Sequence, residues 1–330
     1  MQAGLERDGY AVVPMLDAAE VASLRAAYDD LGPTPGDPHL ACYSSFHSFD
    51  AHYKERVDTV VRSALDSHLA RVFDRQRALP SNFIVKWPGG MSGFGLHQDS
   101  SLVDETRFRS VEVWVALEDT NETNGQLWMV PGSHRWVHTI RGIHAFSFPF
   151  RPVMSRLIAR HSRPVPVRAG EAIVFTHAVV HFSYPNKSDN PRYVAIADLI
   201  PEEAPHMVYF GDGKGNVEAF AVGDDYWTQN SPFTLVQPPP GSASRGRVRF
   251  KYTEVTDEML DGFVADGRAI ESGDGGHGAI NAAKTWCHRC GATGFAGHQP
   301  DRWVGNVTML CPSCKAAEAR YAPTPAHVGG

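Results

Sequence analysis

The amino-acid sequence predicts a mainly β protein that is a sandwich or barrel. Helices precede the β region in the chain, and a small cysteine-containing module follows it. Three observations lead to this prediction. Short apolar or alternating runs separated by Gly, Pro and Asn turns fill residues 80–200. Apolar residues at clear helical spacing precede that region, and four of the five cysteines form two CxxC pairs near the C-terminus.

Composition narrows the class of protein. The 330 residues are 42% hydrophobic and 21% charged, which is typical of a soluble globular chain with a sizeable core. The net charge of −6 and the lack of a long basic run disfavour nucleic acid as a partner. No apolar stretch reaches the roughly 18 residues of a membrane span, and charged residues at 6–8 interrupt any signal-peptide core. We therefore expect a cytoplasmic protein.

The N-terminal region predicts one strand and two helices. Residues 10–14 form a short β-rich run that Pro14 closes. Asp17 is a candidate N-cap for a helix that ends at Gly32, where a Gly-Pro pair stops it. A second apolar stripe predicts a helix over residues 52–73.

The middle of the chain changes to a period of two. Five runs predict strands, and Gly, Pro and Asn turns separate them: residues 81–87, 110–117, 126–130, 172–176 and 193–200. A further helix is expected after Thr256, and six glycines between Gly262 and Gly278 predict a flexible linker. These features divide the chain into a main domain (1–265), a Gly-rich linker (266–284) and a C-terminal module (285–330).

His97 and Asp99 form an HxD motif that could bind a metal. On a strand, residues i and i+2 share a face, so both side chains can reach one ion. A second histidine would complete a facial triad with open coordination positions, and His177 and His181 are both candidates. Arg192 follows the turn at residues 186–191, and a hairpin there would bring its guanidinium towards the metal, where it could grip a carboxylate.

Several segments in this order resemble the phytanoyl-CoA dioxygenase family of Fe(II)- and 2-oxoglutarate-dependent oxygenases. They lie in residues 5–200: DGYAVV at 8–13, HQD at 97–99, WVAL at 114–117, NGQLWMVPGSH at 124–134, HFS at 181–183 and NKS at 186–188, before Arg192. The resemblance implies a double-stranded β-helix, or jelly roll, with flanking N-terminal helices. It also implies a dioxygenase that uses Fe(II), O2 and 2-oxoglutarate.

The resemblance assigns roles to individual residues. It implies that His97, Asp99 and His181 bind iron, with His177 as the alternative third ligand. It further implies that five residues contact 2-oxoglutarate. Two of them belong to the strand at 81–86, and the five are Arg192, Ser183, Trp114, Lys86 and Asn82.

The resemblance also limits the reaction. Related halogenases lack the carboxylate ligand, so Asp99 favours hydroxylation of an unactivated C–H bond, with release of succinate and CO2. Desaturation and cyclisation use the same triad and stay open. We expect a small-molecule substrate, in specialised metabolism for example, because no basic cluster in the sequence requires a coenzyme A thioester. The alternatives are a catalytically silent β-domain and an oxygenase that acts on a protein-bound or carrier-bound substrate.

The C-terminal cysteines predict a structural metal site. Two CxxC pairs separated by 20 residues are typical of a zinc ribbon with four thiolate ligands, here Cys287, Cys290, Cys311 and Cys314. Iron in a rubredoxin-like site is the alternative. With four protein ligands no coordination position stays open for catalysis, so the predicted role is structural, or docking of a protein or carrier partner. Cys42 lies outside this module and is predicted to be an inert thiol.

Overall fold

A computed structural model describes residues 1–32, 42–89, 92–137, 139–142, 148–211, 216–231, 242, 244–249 and 253–271. The four cysteines of the predicted zinc module lie outside these residues, so that module stays a prediction. The α-helices are α1 (Gln2–Arg7), α2 (Ala18–Asp30), α3 (Ala51–Val72), α4 (Met154–Arg156), α5 (Tyr226–Gln229) and α6 (Asp257–Glu271).

Fourteen described strands form three antiparallel sheets. The strands are β1 (Tyr10–Pro14), β2 (Cys42–Ser44), β3 (Gln76–Ala78), β4 (Asn82–Lys86), β5 (Phe94–His97), β6 (Val111–Ala116), β7 (Leu127–Met129), β8 (Arg163–Val165), β9 (Glu171–Thr176), β10 (His181–Ser183), β11 (Arg192–Pro201), β12 (Met207–Gly211), β13 (Asn216–Ala221) and β14 (Ser244–Arg249). A seven-stranded sheet has the order β1-β9-β6-β11-β4-β2, with β3 also paired to β11. The other sheets have the orders β5-β10-β7-β8 and β12-β13-β14. The predicted mainly β class is confirmed.

The two long N-terminal helices cover one face of the seven-stranded sheet. Asp17 caps α2 by accepting hydrogen bonds from the backbone of Ala19 and Glu20, as predicted. The buried stripe of α3 includes Val57, Val61 and Leu65, and these residues share an apolar core with alternate residues of β6, β9 and β11. The helices thus bury the outer face of the sheet.

The opposite face of the same sheet forms the interior of the β domain. Along β6, Val113 and Val115 point towards the helices, whereas Trp114 and Ala116 point towards the four-stranded sheet. Residues from both sheets, such as Ile196 and Met129, meet there in a second apolar core. The inner faces of β4, β6, β9 and β11 therefore form one wall of the interior.

The C-terminal helix α6 covers the outer face of the four-stranded sheet region. Val255 and Leu260 are fully buried against Phe150 and Phe182. The helix includes Gly262 and continues to Glu271, so it overlaps the first residues of the predicted Gly-rich linker. The amphipathic pattern of the helix outweighs the cost of its glycines, which is about 1 kcal/mol each.

None of the helices in the described ranges combines the length and the apolarity that a membrane-spanning segment needs.

Candidate metal and cosubstrate site

Three of the predicted ligands come together at the end of the four-stranded sheet. His97 closes β5 and is the register partner of His181, the first residue of β10. The HxD spacing had suggested that Asp99 lies on the strand with His97. In the structure Asp99 lies just past the end of β5. One ligand atom from each of the three side chains lies within 4.8 Å of the other two. The bend after His97 therefore gathers the triad.

Hydrogen bonds fix the two imidazoles in the tautomer that a metal requires. Nδ1 of His97 donates to the carbonyl of Gly95 at 2.7 Å, and Nδ1 of His181 donates to the carbonyl of Val179 at 3.1 Å. A carbonyl oxygen can only accept, so Nδ1 of each ring carries a proton and Nε2 is the nitrogen left to bind a metal. The two Nε2 atoms lie 3.4 Å and 3.6 Å from the two carboxylate oxygens of Asp99. Such backbone contacts orient metal-binding histidines in known sites.

The charges of the triad also fit a divalent cation. Burial, followed by the proximity of His97, lowers the pKa of His181 to about 4, which keeps that ring neutral. Burial by itself would raise the pKa of Asp99, but His181 and His97 outweigh it, so the pKa lies below its ordinary value. Oδ2 of Asp99 is buried and has no hydrogen-bond partner among the described residues. A buried, ionised oxygen without a partner fits a ligand to a cation.

Asp99 is held in place by its backbone. Its N–H donates to the carbonyl of His177 at 3.0 Å, and its carbonyl accepts from Nε of Arg141 at 2.6 Å. Arg141 in turn forms a buried bidentate ion pair with Glu105, with N–O distances of 2.5 and 2.9 Å. The carboxylate is thus fixed independently of β5.

A second group of predicted residues forms a basic pocket. Lys86 and Arg192 are direct register partners on β4 and β11, and both are almost fully buried. Nζ of Lys86 donates to Oγ of Ser183 at 2.5 Å and to the carbonyl of Tyr184 at 2.7 Å. Arg192 donates from Nη1 to the carbonyl of Gly125, and its Nε has no partner among the described residues.

The connection between this pocket and the metal site differs from the hairpin that the sequence suggested. Arg192 does not form a hairpin with the metal-bearing strand, because β10 and β11 belong to different sheets. The link is Lys86, whose ammonium crosses the interior to Ser183, two residues after His181. Two residues along a strand span about 6–7 Å, a length comparable with that of a five-carbon dicarboxylate.

The turn after Asn124 requires a glycine at position 125. Its φ is +77°, a region that favours glycine. A Cβ there would lie 2.5 Å from the carbonyl of Tyr184 and 3.0 Å from Cδ of Lys86. The turn must therefore come this close for the carbonyl of Gly125 to reach Arg192.

Trp114 and Asn82 occupy different levels of the interior. The Trp114 ring centroid lies 5.0 Å from Cζ of Arg192, so the indole forms one wall of the basic pocket. Asn82 is on the same strand as Lys86 but about 13 Å further along it. Its Oδ1 accepts from Oγ of Ser44 at 3.0 Å, and it is the register partner of Ile196. The structure therefore does not bring Asn82 together with Arg192.

Besides the triad and the basic pocket, the interior contains a third cluster of polar residues, which the sequence did not predict. Glu112 and Asp198 are register partners on β6 and β11, and Nε2 of His177 lies 3.0 Å from Oδ1 of Asp198. Ligand atoms of these three residues also lie within 4.8 Å of one another. The His177 ring thus pairs with Asp198, although it also lies close enough to Asp99 for the two groups to interact electrostatically. The available signal was Glu112 at an inward position of an otherwise apolar strand.

Comparison with known proteins agrees with this arrangement. The model of the phytanoyl-CoA dioxygenase (PhyH) family matches residues 5–194, which is more than half of the chain. Phytanoyl-CoA dioxygenase domain-containing protein 1 of Danio rerio is 36% identical over 135 residues, which are 38% of this chain and 45% of that protein. Phytanoyl-CoA dioxygenase of Arabidopsis thaliana is 30% identical over 152 residues, which are 45% and 52% of the two chains. The matched region thus spans about half the length of these relatives.

Solved structures with a similar fold include the non-heme alpha ketoglutarate dependent carbocyclase SnoK from nogalamycin biosynthesis. It is 22% identical, with a TM-score of 0.48 and coverage of 62% of this chain and 84% of that chain. HygX from Streptomyces hygroscopicus, solved with nickel, 2-oxoglutarate and hygromycin B, is 19% identical, with a TM-score of 0.46 and coverage of 60% and 85%.

The family match includes all three triad residues, Lys86 and Arg192, the residues whose geometry is described above. This chain therefore belongs to the phytanoyl-CoA dioxygenase family.

Proposed function

We propose that the chain is an Fe(II)- and 2-oxoglutarate-dependent dioxygenase that hydroxylates an unactivated C–H bond of a small metabolite. One observation carries the proposal: the ligand atoms of His97, Asp99 and His181 converge within 4.8 Å, and the Nδ1 atoms of both histidines are engaged by backbone carbonyls. Two histidines and one carboxylate are the ligand set of non-haem Fe(II) oxygenases. Bound iron would couple the oxidation of 2-oxoglutarate by O2 to succinate and CO2 with transfer of one oxygen atom to the substrate.

The basic pocket supports the choice of cosubstrate. Arg192 and Lys86 present two cationic groups to one buried space, and Ser183 adds a hydroxyl. Charge-assisted hydrogen bonds from a guanidinium to a carboxylate are among the stronger contacts in proteins. In the proposed complex these groups hold the far carboxylate of 2-oxoglutarate, and the Trp114 ring keeps water from Arg192. The chain thus orients the 2-oxo acid group towards the triad.

Access to the triad supports a substrate that arrives from solution. The side chains of His97 and Asp99 are 27% and 22% exposed, whereas Arg192 and Lys86 are 2% and 0% exposed. A substrate can therefore reach the open side of the triad, while the dicarboxylate site lies deeper. Asp99 occupies the position at which halogenases leave room for a halide, so hydroxylation is the proposed outcome.

An anaerobic visible titration tests this function. Fe(II) is added to the metal-free protein, and 2-oxoglutarate is then added while a weak charge-transfer band is followed. We expect the band only when both are present, and we expect Arg192→Gln to need about a hundredfold more 2-oxoglutarate or more. Arg168→Gln, an exposed arginine paired with Glu171, is the control. A folded protein that gives no band would contradict the proposal.

The four C-terminal cysteines support a separate proposal, that the chain also holds one structural zinc ion. Thiolates at CxxC spacing bind zinc tightly, and such small modules need the metal to fold. We expect one zinc per chain after dialysis against a weak chelator, and loss of that zinc in Cys287→Ser. Cys42→Ser, which removes the half-buried free cysteine, is the control and should keep the zinc. Full zinc content in Cys287→Ser would contradict the site.

A further inference from the structure

A second polar cavity lies on the side of the domain where α6 meets the four-stranded sheet region. It has a volume of about 380 Å³, many times the roughly 10–15 Å³ that one water molecule needs. Trp136 and Phe263, whose rings stack at 5.9 Å, form an aromatic wall. Its cationic lining consists of five arginines, which are Arg7, Arg135, Arg156, Arg160 and Arg163.

Three of the five arginines have no carboxylate partner in the described part of the chain. Arg7 pairs with Asp8, and Arg156 pairs with Asp257 and Asp261 on α6. The remaining three do not pair in this way. Arg135 and Arg163 donate to backbone carbonyls, and no side-chain acceptor faces Arg160 among the described residues. The cavity therefore carries unneutralised positive charge in a protein whose net charge is −6.

Arg135 is the most constrained of the three. Nη2 donates to the carbonyl of Arg7 at 3.0 Å, while Nε is buried and has no partner among the described residues. Burial lowers the pKa of this guanidinium, although Asp8 partly offsets the effect. A half-buried cation with an unused N–H costs free energy unless a ligand accepts from it. Arg135, which lines the cavity, thus keeps one buried N–H without an acceptor among the described residues.

The turn that carries Arg135 adjoins the metal-bearing strand. Gly132, with φ of +81°, turns the chain so that Arg135 can fold back over Arg7. The next residue, Ser133, accepts from the N–H of Val180 through Oγ at 2.8 Å, one residue before His181. Arg135 is therefore held in place before any ligand binds, which lowers the entropic cost of binding.

From this arrangement we propose that the cavity is a binding site for a phosphate-bearing anion. Planar guanidinium groups bind phosphate oxygens in bidentate fashion, and several of them around one space favour a diphosphate over a monovalent ion. The space is large enough for a diphosphate and for part of an organic group beside Trp136. The site lies outside the triad and the basic pocket, so it adds a function to the proposed oxygenase.

The sequence could not reveal this site. Its arginines come from three separate segments, around residues 7, 135 and 156–163, so no basic run appears in the chain. Only the packing of α1, the turn after β7, α4 with the helical turn that follows it, and the start of β8 brings them to one cavity. The absence of a basic cluster along the sequence therefore does not exclude a group of arginines that converge in the fold.

Calorimetric titration of the iron-free full-length protein with inorganic pyrophosphate tests the site. The test variant is the double substitution Arg160→Gln/Arg163→Gln, because both arginines are exposed and their loss should not affect folding. The matched control is Arg151→Gln, an exposed arginine outside the cavity. At about 0.15 M salt, where distant surface charges are screened, we expect saturable binding by wild type and control and at least tenfold weaker binding by the double variant.

The outcomes separate this site from the oxygenase proposal. Absence of saturable pyrophosphate binding by wild type, or equal binding by the double variant, would overturn the anion site. The iron and 2-oxoglutarate band of the double variant should match wild type, because neither arginine belongs to that site. A parallel titration with adenosine diphosphate identifies the source of the phosphate. Equal affinity indicates a free anion, and tighter binding indicates a phosphate carried on a larger ligand.

Discussion

The interior of the β domain carries like-charged pairs at both ends of the same strand. At one end of β11 Arg192 faces Lys86 across the sheet, and at the other end Asp198 faces Glu112. Between the two ends the inward positions are apolar and include Ile196. Direct cross-strand neighbours of like charge are destabilising unless something compensates them. The two ends differ in what provides that compensation.

The acidic end contains its own compensation, and the basic end does not. His177 hydrogen-bonds Asp198 at 3.0 Å, and although burial opposes it, this contact raises the pKa of His177. No described carboxylate bonds Lys86 or Arg192, which donate only to a serine hydroxyl and to carbonyls. The acidic end is therefore a self-contained support beside Asp99, whereas the basic end is the one that we propose to bind an anion. Each prediction below tests one side of this difference.

The largest effect should separate the two buried histidines. His181→Ala removes a ligand of the triad, and we expect Fe(II) affinity to fall by more than about a hundredfold, since even supporting contacts around metal sites have effects of 10–100-fold. His177→Ala should leave Fe(II) affinity within about threefold, because its ring faces Asp198. Fe(II) titration under argon measures both affinities. If His177→Ala lost iron as severely as His181→Ala, the acidic end would belong to the metal site.

The next effect concerns the basic end. Arg192→Gln removes the guanidinium, and we expect the Kd for 2-oxoglutarate to rise about a hundredfold or more, because each hydrogen bond to a charged group contributes about 1.5–3 kcal/mol. Fe(II) affinity should not change. Equilibrium binding of 2-oxoglutarate to the iron-loaded protein measures the effect, with Arg168→Gln as control. An unchanged Kd would mean that Arg192 only anchors the carbonyl of Gly125.

The sequence predicted the strands and the charged residues better than their partners. The apolar alternation in residues 110–117 located β6, and Asp17 located the start of α2, because both signals are local. The link from Lys86 to Ser183 and the pairing of His177 with Asp198 depend on which strands become neighbours. That information is spread over the whole sheet order, so spacing along the chain could not supply it.

A smaller effect should follow from the other cation of the basic end. Burial, followed by the proximity of Arg192, lowers the pKa of Lys86 to about 7. In the absence of an anion the unfolded chain, with its lysine pKa near 10.5, binds more protons between these values, so stability should rise as pH increases from 7 towards 10.5. Lys86→Met should remove this rise and weaken 2-oxoglutarate binding about tenfold at pH 6.

Thermal unfolding of the iron-free protein between pH 6 and 9 measures the pH dependence of stability. Equilibrium binding over the same range measures the affinity for 2-oxoglutarate. As pH rises above 7, wild type should lose part of its binding advantage over Lys86→Met, because the ammonium loses its proton. Lys187→Met, an exposed lysine on the turn after β10, is the control. Parallel pH profiles for wild type and Lys86→Met would show that Lys86 remains charged throughout this range.

The smallest effect should come from the acidic end. Burial, followed by the charges of Asp99 and Asp198, raises the pKa of Glu112 well above 4.5. The folded protein therefore holds this proton where the unfolded chain has lost it, and its contribution to stability is present below pH 4.5 and decreases as pH rises through the folded pKa. In iron-free protein, Glu112→Gln should match wild type at pH 4 and be more stable at pH 8. Chemical denaturation at both values measures this difference, with the exposed Glu122→Gln as control.

Iron and 2-oxoglutarate affinities should stay unchanged in Glu112→Gln, because His177 and Asp198 keep their hydrogen bond and the triad and the basic end are untouched. A variant that lost stability at pH 8 would show that Glu112 is ionised, and that the acidic end needs a cation after all.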